Sequence, residues 1–172
     1  MSGAGITATA ERPEGFRRVA QALAALGHAQ APLWLDVPAR TCAEAAAALG
    51  VQVGQIAKSV VLRRLADSAA VLVVAAGDRR VDTAKVAARV GAVGRADAAF
   101  VKASTGFSIG GVAPLGHAAI DGTAAVVLID GSLFRFAAVW AAAGHPNGVF
   151  CASPADLLRL TGAPLADVVE PA

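Results

Sequence analysis

Apolar residues recur along the chain with two periods, one typical of helices and the other of strands. A spacing of three or four residues predicts helices over residues 13–26, Cys42–Leu49, Ala84–Val90, 97–104 and Pro154–Leu160. Alternation or unbroken apolar runs predict strands over Leu33–Val37, Lys58–Leu65, Ala70–Ala75, Ala118–Asp121, Ala124–Ile129, Phe134–Ala142 and Val149–Ala152. Helices and strands mixed in this order indicate an α+β fold with a mixed or antiparallel sheet.

Capping and turn residues mark where these elements begin and end. Thr41, with Glu44 three residues later, matches the capping box at a helix start. Residues 91–94 carry a glycine at each end and predict a turn. Asp130 and Gly131 form a dipeptide typical of hairpin turns.

The segment Thr105–His117 stands out because it holds four glycines, one proline and no charge. Glycine permits backbone angles closed to other residues and lets another group approach the main chain closely. Such a loop can present several peptide N–H groups in one concavity. A wide turn between two strands accounts for the same composition, so both interpretations remain open.

Lys58 lies on an apolar strand face, together with Val60 and Leu62, because side chains repeat every second residue. Lysine is almost never fully buried unless it is paired. Its ammonium group either reaches the edge of the sheet or points into a pocket that receives an anion.

Composition limits the class of protein. The 172 residues, 56% of them hydrophobic, suit a single domain, which we expect over residues 13–172 after a flexible leader at 1–12. Cys42 and Cys151 have no CxxC partner, so we expect free thiols and no metal site. A net charge of +2 excludes a polybasic tail, although three arginine pairs could mark a shallow basic face. No secretory signal or membrane span is expected, and a cytoplasmic location follows by default.

Three segments in this order resemble a known family. They are Gln55–Val61, Ser104–Gly116 and residues 143–158, and together they are similar to the YbaK/EbsC-type aminoacyl-tRNA deacylases. That family is related to the editing domain inserted in some bacterial prolyl-tRNA synthetases. The resemblance covers about residues 14–168, and the strand lysine with the glycine loop is its specific feature.

The resemblance implies a barrel-like YbaK fold and trans editing of mischarged tRNA, often tRNA for proline. The residue matching the family's main polar side chain is Lys58, the catalytic candidate. The loop Gly110–Pro114 would shape the amino-acid pocket, and peptide N–H groups around Gly110 and Gly111 could stabilise an oxyanion. The substrate-binding candidates are Thr105, Gly106, Ser108, Gly110, Gly111, Val112, Pro114 and His145.

No cofactor or metal is expected, and for some relatives the substrate's own 2′-hydroxyl is thought to activate water. The expected partners are the aminoacyl-tRNA acceptor end and, with less support, prolyl-tRNA synthetase. No membrane or DNA partner is expected, and the chain is expected to be a monomer. The alternative function is a non-catalytic module of the same fold that binds tRNA or a small ligand.

Overall fold

The computed structural model describes residues 11–172, so the leader predicted at residues 1–12 lies almost wholly outside the described part. The α-helices there are α1 (Glu14–Ala25), α2 (Cys42–Leu49), α3 (Thr83–Val90), α4 (Ala98–Thr105) and α5 (Pro154–Thr161). The strands are β1 (Leu33–Trp34), β2 (Ile56–Arg64), β3 (Ala70–Ala76), β4 (Val93–Arg95), β5 (Val126–Asp130), β6 (Val139–Ala142), β7 (Gly148–Ala152) and β8 (Leu165–Ala166).

All eight strands belong to one mixed sheet. Their order is β1-β7-β6-β2-β3-β5-β8, and β4 pairs with β2 off this path. The β2–β6, β3–β5 and β5–β8 pairs are parallel, and the other pairs are antiparallel. Within the described chain no pairing joins the two end strands, so the sheet is open. The predicted α+β class with a mixed sheet is confirmed.

Hydrophobic clusters lie on both faces of the sheet, and β3 contributes side chains to each of them. Its even-numbered residues, such as Leu72 and Val74, pack with α1 and the glycine loop. Its odd-numbered residues, such as Val71 and Val73, pack with Val86 of α3 and with the chain after β8. A strand covered on both faces reads as a continuous apolar run, which explains the composition of Ala70–Ala75.

Helix α1 confirms its predicted apolar face, since Phe16, Val19 and Leu23 are all buried. The helix approaches the chain closely at Gly15, where an added Cβ would lie 2.4 Å from the carbonyl oxygen of Gly144. Only a residue without a side chain allows this contact. The first turn of α1 is therefore held against the segment that precedes β7.

The predicted N-cap of α2 at Thr41 is confirmed, but the capping box is only half formed, since the Glu44 carboxylate accepts from the Arg40 N–H at 3.5 Å and not from that of Thr41. The N–H of Glu44 donates to the Thr41 hydroxyl at 3.1 Å, and Gly50 ends the helix in the left-handed conformation. This helix places its first turn beside β2, where the candidate site lies.

Four expectations need correction. Residues 93–95 form β4 on the edge of β2 instead of a turn, and residues 118–121 form no strand. Asp130 begins a 3-10 turn instead of a hairpin, because β5 has only parallel partners. Its buried carboxylate accepts hydrogen bonds from the Ser132 and Val168 N–H groups, each at 2.8 Å. Because this turn occupies residues 131–135, the strand that was predicted to begin at Phe134 begins at Val139.

Candidate active site

Two strands, β6 and β4, pair with different parts of the same edge of β2 and leave a gap between them. Strand β6 pairs with Ile56 and Ala57, and β4 pairs with Leu62–Arg64, which leaves residues 58–61 without a neighbour on that edge. A cavity of about 370 Å³ opens in this gap, and we call it the fork cavity. Its walls are residues 39–42 and Ala45, 56–61, Ala96, Val101, Ile109, Gly110, Val112, 140–142, Gly148 and Val149.

The register of β2 turns the peptide groups of Ser59 and Val61 toward the gap. The N–H of Arg64 donates to the Ala69 carbonyl at 2.9 Å, which sets the phase of the β2–β3 ladder. Hydrogen-bonded positions alternate along an antiparallel pair, so Lys58 exchanges its peptide bonds with β3. The next residue, Ser59, therefore directs its N–H and C=O toward the fork cavity.

Lys58 is half-buried in the wall of the fork cavity. None of the ion pairs among residues 11–172 includes Lys58. No aspartate, glutamate or histidine lies among the described residues that line the cavity. An ammonium group in a mostly apolar cavity without a carboxylate partner is a site that favours an anionic or strongly polar ligand.

The glycine loop, which we define as residues 106–117, follows the end of α4 and separates the fork cavity from a second one. Ile109, Gly110 and Val112 line the fork cavity, whereas Gly111 lines the other. Gly110 has a φ of 93°, which favours glycine. An alanine Cβ at Gly111 would lie 2.8–2.9 Å from backbone atoms of His145. The loop is therefore a thin wall that depends on both glycines.

The second cavity has a volume of about 390 Å³, and we call it the basic hollow. It is lined by Pro13, Glu14, Gly15, Arg18, Lys102, Gly106, Phe107, Ser108, Gly111, Ala118, Ile120, Gly144, His145 and Pro146. Arg18 and Lys102 are held at its wall, since Arg18 Nε donates to the Gly116 carbonyl at 2.8 Å and Lys102 Nζ to the Gly106 carbonyl at 3.1 Å. Cations therefore dominate this hollow.

His145 sits between the basic hollow and β1. Its ring stacks on Trp34, with centroids 4.8 Å apart, and its Nδ1 accepts a hydrogen bond from the Asn147 N–H at 3.1 Å. Partial burial lowers the pKa of His145, and the charge of Arg40 lowers it further. The ring is thus favoured in its neutral form with the proton on Nε2, which makes that nitrogen a hydrogen-bond donor.

The structure distributes the predicted site residues over three places. Lys58, Gly110 and Val112 line the fork cavity, and Gly106, Ser108, Gly111 and His145 line the basic hollow. Two residues lie outside both cavities. The fully buried Thr105 donates its hydroxyl to the Val101 carbonyl at 2.7 Å and closes the end of α4, while Pro114 is buried beside Leu115. Their local roles argue against direct substrate contact.

The expected oxyanion donors also need revision. The N–H of Gly111 already donates to the Ser108 carbonyl at 3.0 Å, so it is engaged within the loop. Among the described residues no backbone carbonyl accepts the N–H of Gly110. The peptide donors that can serve the fork cavity are therefore those of Gly110, Ser59 and Val61.

Cys42 lines the fork cavity, which the sequence did not indicate. Burial raises the pKa of its thiol, and the charge of Lys58 only partly offsets that effect. The thiol therefore stays protonated near neutral pH and is a poor nucleophile. Residues 11–172 hold no cluster of three or more His, Cys, Asp or Glu side chains able to bind a metal ion.

Arg18 and Lys102 were not individual candidates from the sequence. In the sequence Arg18 is only half of an arginine pair, and one arginine of each other pair lies beside a carboxylate. Arg64 pairs with Asp67 at 2.8 Å and lowers the pKa of that carboxyl to about 2, and Arg80 lies 3.7 Å from Glu170. The sequence places Arg18 on α1, next to Val19 of the buried face, and gives no other signal for it.

No helix among residues 11–172 has the length and hydropathy needed to cross a membrane.

Comparison with known proteins defines the class. The family model of the aminoacyl-tRNA editing domain matches residues 36–160, and the chain belongs to that family. The structure of a candidate trans-editing enzyme for prolyl-tRNA synthetase is 38% identical with a TM-score of 0.83, over 93% of this chain and 99% of that one.

Two further solved structures are similar over most of their length. One comes from the computational grafting of linear epitopes onto scaffold proteins, with 38% identity and a TM-score of 0.83 over 93% of this chain and 100% of that one. The other is a hypothetical protein, with 32% identity and a TM-score of 0.81 over 89% of this chain and 99% of that one. No curated protein matches the sequence significantly.

Proposed function

We propose that this protein is a trans-acting deacylase that hydrolyses the ester of a mischarged tRNA. The substrate we favour is tRNA for proline that carries a small non-cognate amino acid. The observation that supports this most directly is the fork cavity, where Lys58 and Gly110 of the glycine loop face one space. Membership of the editing-domain family and the likeness to a candidate trans-editing enzyme supply the substrate class.

The fork cavity would receive the terminal ribose with its aminoacyl group. Lys58 would hold the ribose or the terminal phosphate by charge and hydrogen bonding, since no described carboxylate competes for its ammonium. Because the cavity must take the sugar as well, and because its walls are mostly apolar, it favours a small amino acid side chain. A second sieve of this kind is needed when a synthetase separates two amino acids by only ~1–3 kcal/mol.

In the proposed reaction, water attacks the ester carbonyl carbon and the bond to the ribose oxygen breaks. The oxygen that gains charge would accept hydrogen bonds from the N–H groups of Ser59 and Gly110. The substrate's 2′-hydroxyl would take part in activating the water, because no described residue lining the cavity is a strong general base. The ribose oxygen receives a proton, and the products are free amino acid and uncharged tRNA.

Action on tRNA is consistent with a cytoplasmic protein. We propose a monomer that meets the acceptor end of the tRNA directly or beside prolyl-tRNA synthetase. The second candidate function, a binding module without catalysis, would use the same two cavities, and it is separated from the first by turnover alone.

The test is deacylation of a panel of tRNAs charged with alanine, cysteine, serine, threonine or proline. We expect release of at least one small non-cognate amino acid, and a rate about 100-fold lower in Lys58→Ala because the substrate is no longer held in position. Lys85→Ala is the matched control, since Lys85 Nζ already binds Asp167 at 3.1 Å and the Val169 carbonyl at 2.8 Å.

Full turnover in Lys58→Ala would remove this residue from the mechanism. Binding of tRNA without hydrolysis of any panel member would favour the non-catalytic module.

A further inference from the structure

We infer that the basic hollow binds a phosphate group of the tRNA strand that leads to the terminal nucleotide. The inference rests on the proposed function, because it assumes that the terminal ribose occupies the fork cavity. The two cavities share one wall, since Gly110 lines the fork cavity and the adjacent Gly111 lines the basic hollow. In this inference the strand whose last nucleotide enters the fork cavity runs past the shared wall, which brings its preceding phosphates within reach of the hollow.

The charge of the hollow suits a phosphate. Arg18 and Lys102 line it, and the only carboxylate among its described lining residues is that of Glu14. The Glu14 side chain is 82% exposed and lies 3.5 Å from Arg18, a distance at which an exposed pair neutralises little. The hollow therefore keeps an excess of positive charge, as a phosphodiester site requires.

Arg18 carries a donor that the described chain does not use. Its Nε is bound to the Gly116 carbonyl, and its guanidinium lies 4.5 Å above the Phe107 ring, so the group is fixed in place. Its Nη2 is shielded from water and has no hydrogen-bond partner. Because Nη2 has almost no exposed surface, a phosphate oxygen does not reach this nitrogen, and Arg18 favours an anion in the hollow through its fixed positive charge.

The surroundings of Arg18 supply the remaining donors. An added Cβ at Gly106 would lie 2.6 Å from Arg18 Nη2, so only glycine lets the guanidinium pack this closely against the end of α4. Lys102 spends one of its three donors on the Gly106 carbonyl, which leaves two for a ligand. Two cationic side chains thus line one hollow, from α1 and α4.

The experiment compares two esters of the same amino acid, aminoacyl-tRNA and 2′(3′)-O-aminoacyl-adenosine, which has no phosphate. For Lys102→Ala we expect the ratio of kcat/KM on tRNA to kcat/KM on the adenosine ester to fall about tenfold, and further for Lys102→Glu. The dependence of log K on log salt for uncharged tRNA should become shallower by about 0.7 in Lys102→Ala, the value for one phosphate of a single strand. Lys85→Ala serves as the control for loss of a lysine elsewhere.

Equal losses on both esters would overturn the inference, because Lys102 would then act on the loop and not on a phosphate. An unchanged ratio and salt slope in both Lys102 variants would also overturn it. If the wild-type protein hydrolyses neither ester while Lys102→Ala still weakens tRNA binding with the expected slope, the proposed function fails and the phosphate site stands.

Discussion

The fork cavity and the basic hollow have almost equal volumes, about 370 and 390 Å³, and lie on opposite sides of the glycine loop. They differ in how their cationic side chains are held. In the basic hollow, Arg18 and Lys102 are tied to backbone carbonyls. In the fork cavity, Lys58 forms none of the ion pairs found among residues 11–172. The difference separates two tasks: cations tied to backbone carbonyls suit a fixed binding surface, whereas a cation without an ion-pair partner is available to hold a polar or anionic ligand.

The comparison also shows how each cavity arises. The fork cavity is a gap between two strands that share β2, so its polar groups include strand peptide groups. The basic hollow lies between a helix and two loops, and its polar groups are mostly side chains. Substitutions should therefore affect the two cavities through different atoms.

The largest effect is expected from Ser59→Pro. Proline removes the N–H that faces the fork cavity, and it is tolerated there because that side of the strand is unpaired. We expect a decrease of about 100-fold in turnover of charged tRNA, the cost of losing one oxyanion donor, with tRNA affinity unchanged. Single-turnover deacylation and tRNA titration measure the two quantities.

Ser59→Ala is the matched control because it keeps the peptide N–H and removes only a buried hydroxyl that has no partner. It should retain turnover and gain slightly in thermal stability, since an unsatisfied polar group is lost. A defect in Ser59→Ala as large as that in Ser59→Pro would assign the effect to the side chain.

A smaller effect, on both cavities together, is expected from Gly111→Ala. The new Cβ would lie 2.8–2.9 Å from the backbone of His145, which cannot rotate away as a side chain could. We expect a decrease of about tenfold in kcat/KM and a fall of about 5 °C in Tm, the size of a local overpacking cost. Thermal melting and the two-ester assay report these changes.

Gly162→Ala is the control that distinguishes the clash of a new Cβ with the His145 backbone from the replacement of a glycine as such. No atom lies within 4 Å of a Cβ added at Gly162, and its φ of 65°, unlike the backbone at Gly111, by itself disfavours alanine. This variant should lose stability without losing kcat/KM, and an equal loss of kcat/KM in both variants would contradict the shared-wall interpretation.

The smallest effect concerns His117, at the end of the glycine loop, and the decrease in the stability of the fold at acid pH. Burial lowers the pKa of His117, a hydrogen bond with the Ala113 carbonyl opposes this, and the charge of Arg18 adds to it. The unfolded chain therefore binds a proton more readily than the folded chain below about pH 6.5. Stability is unaffected above that pH and falls as the pH decreases below it.

His117→Gln should reduce this acid sensitivity. Between pH 7.5 and 5.5 we expect its Tm to fall by about 2–4 °C less than that of the wild-type protein. Equal falls in Tm would show that other groups determine the acid response.

Much of the fold could be predicted because its signals are local. Helices α1, α2 and α5 were located to within a residue or two, since apolar spacing and caps such as Thr41 and Ser153 act within one turn of chain. Strand β4 and the two-residue strand β8 were missed, because each exists only through pairing with a distant strand.

The candidate site was predicted in part for the same reason. Lys58 and Gly110 were singled out from residue type and a family resemblance, and the structure brings them to one cavity. The basic hollow was not predicted as a unit, because Arg18, Lys102 and His145 come from three distant segments, and only His145 is a candidate through the family resemblance. Thr105 was assigned to substrate contact, whereas its hydroxyl is used inside α4.

The order of residues by itself determined which segments are helical, which are extended and where the backbone needs glycine, because those preferences depend on neighbours a few positions away. Tertiary structure alone decided that β6 and β4 leave part of β2 unpaired and that a cationic hollow lies behind the glycine loop. Both depend on contacts between distant segments, and the free energy of such contacts comes from the packed core and not from any local stretch of chain.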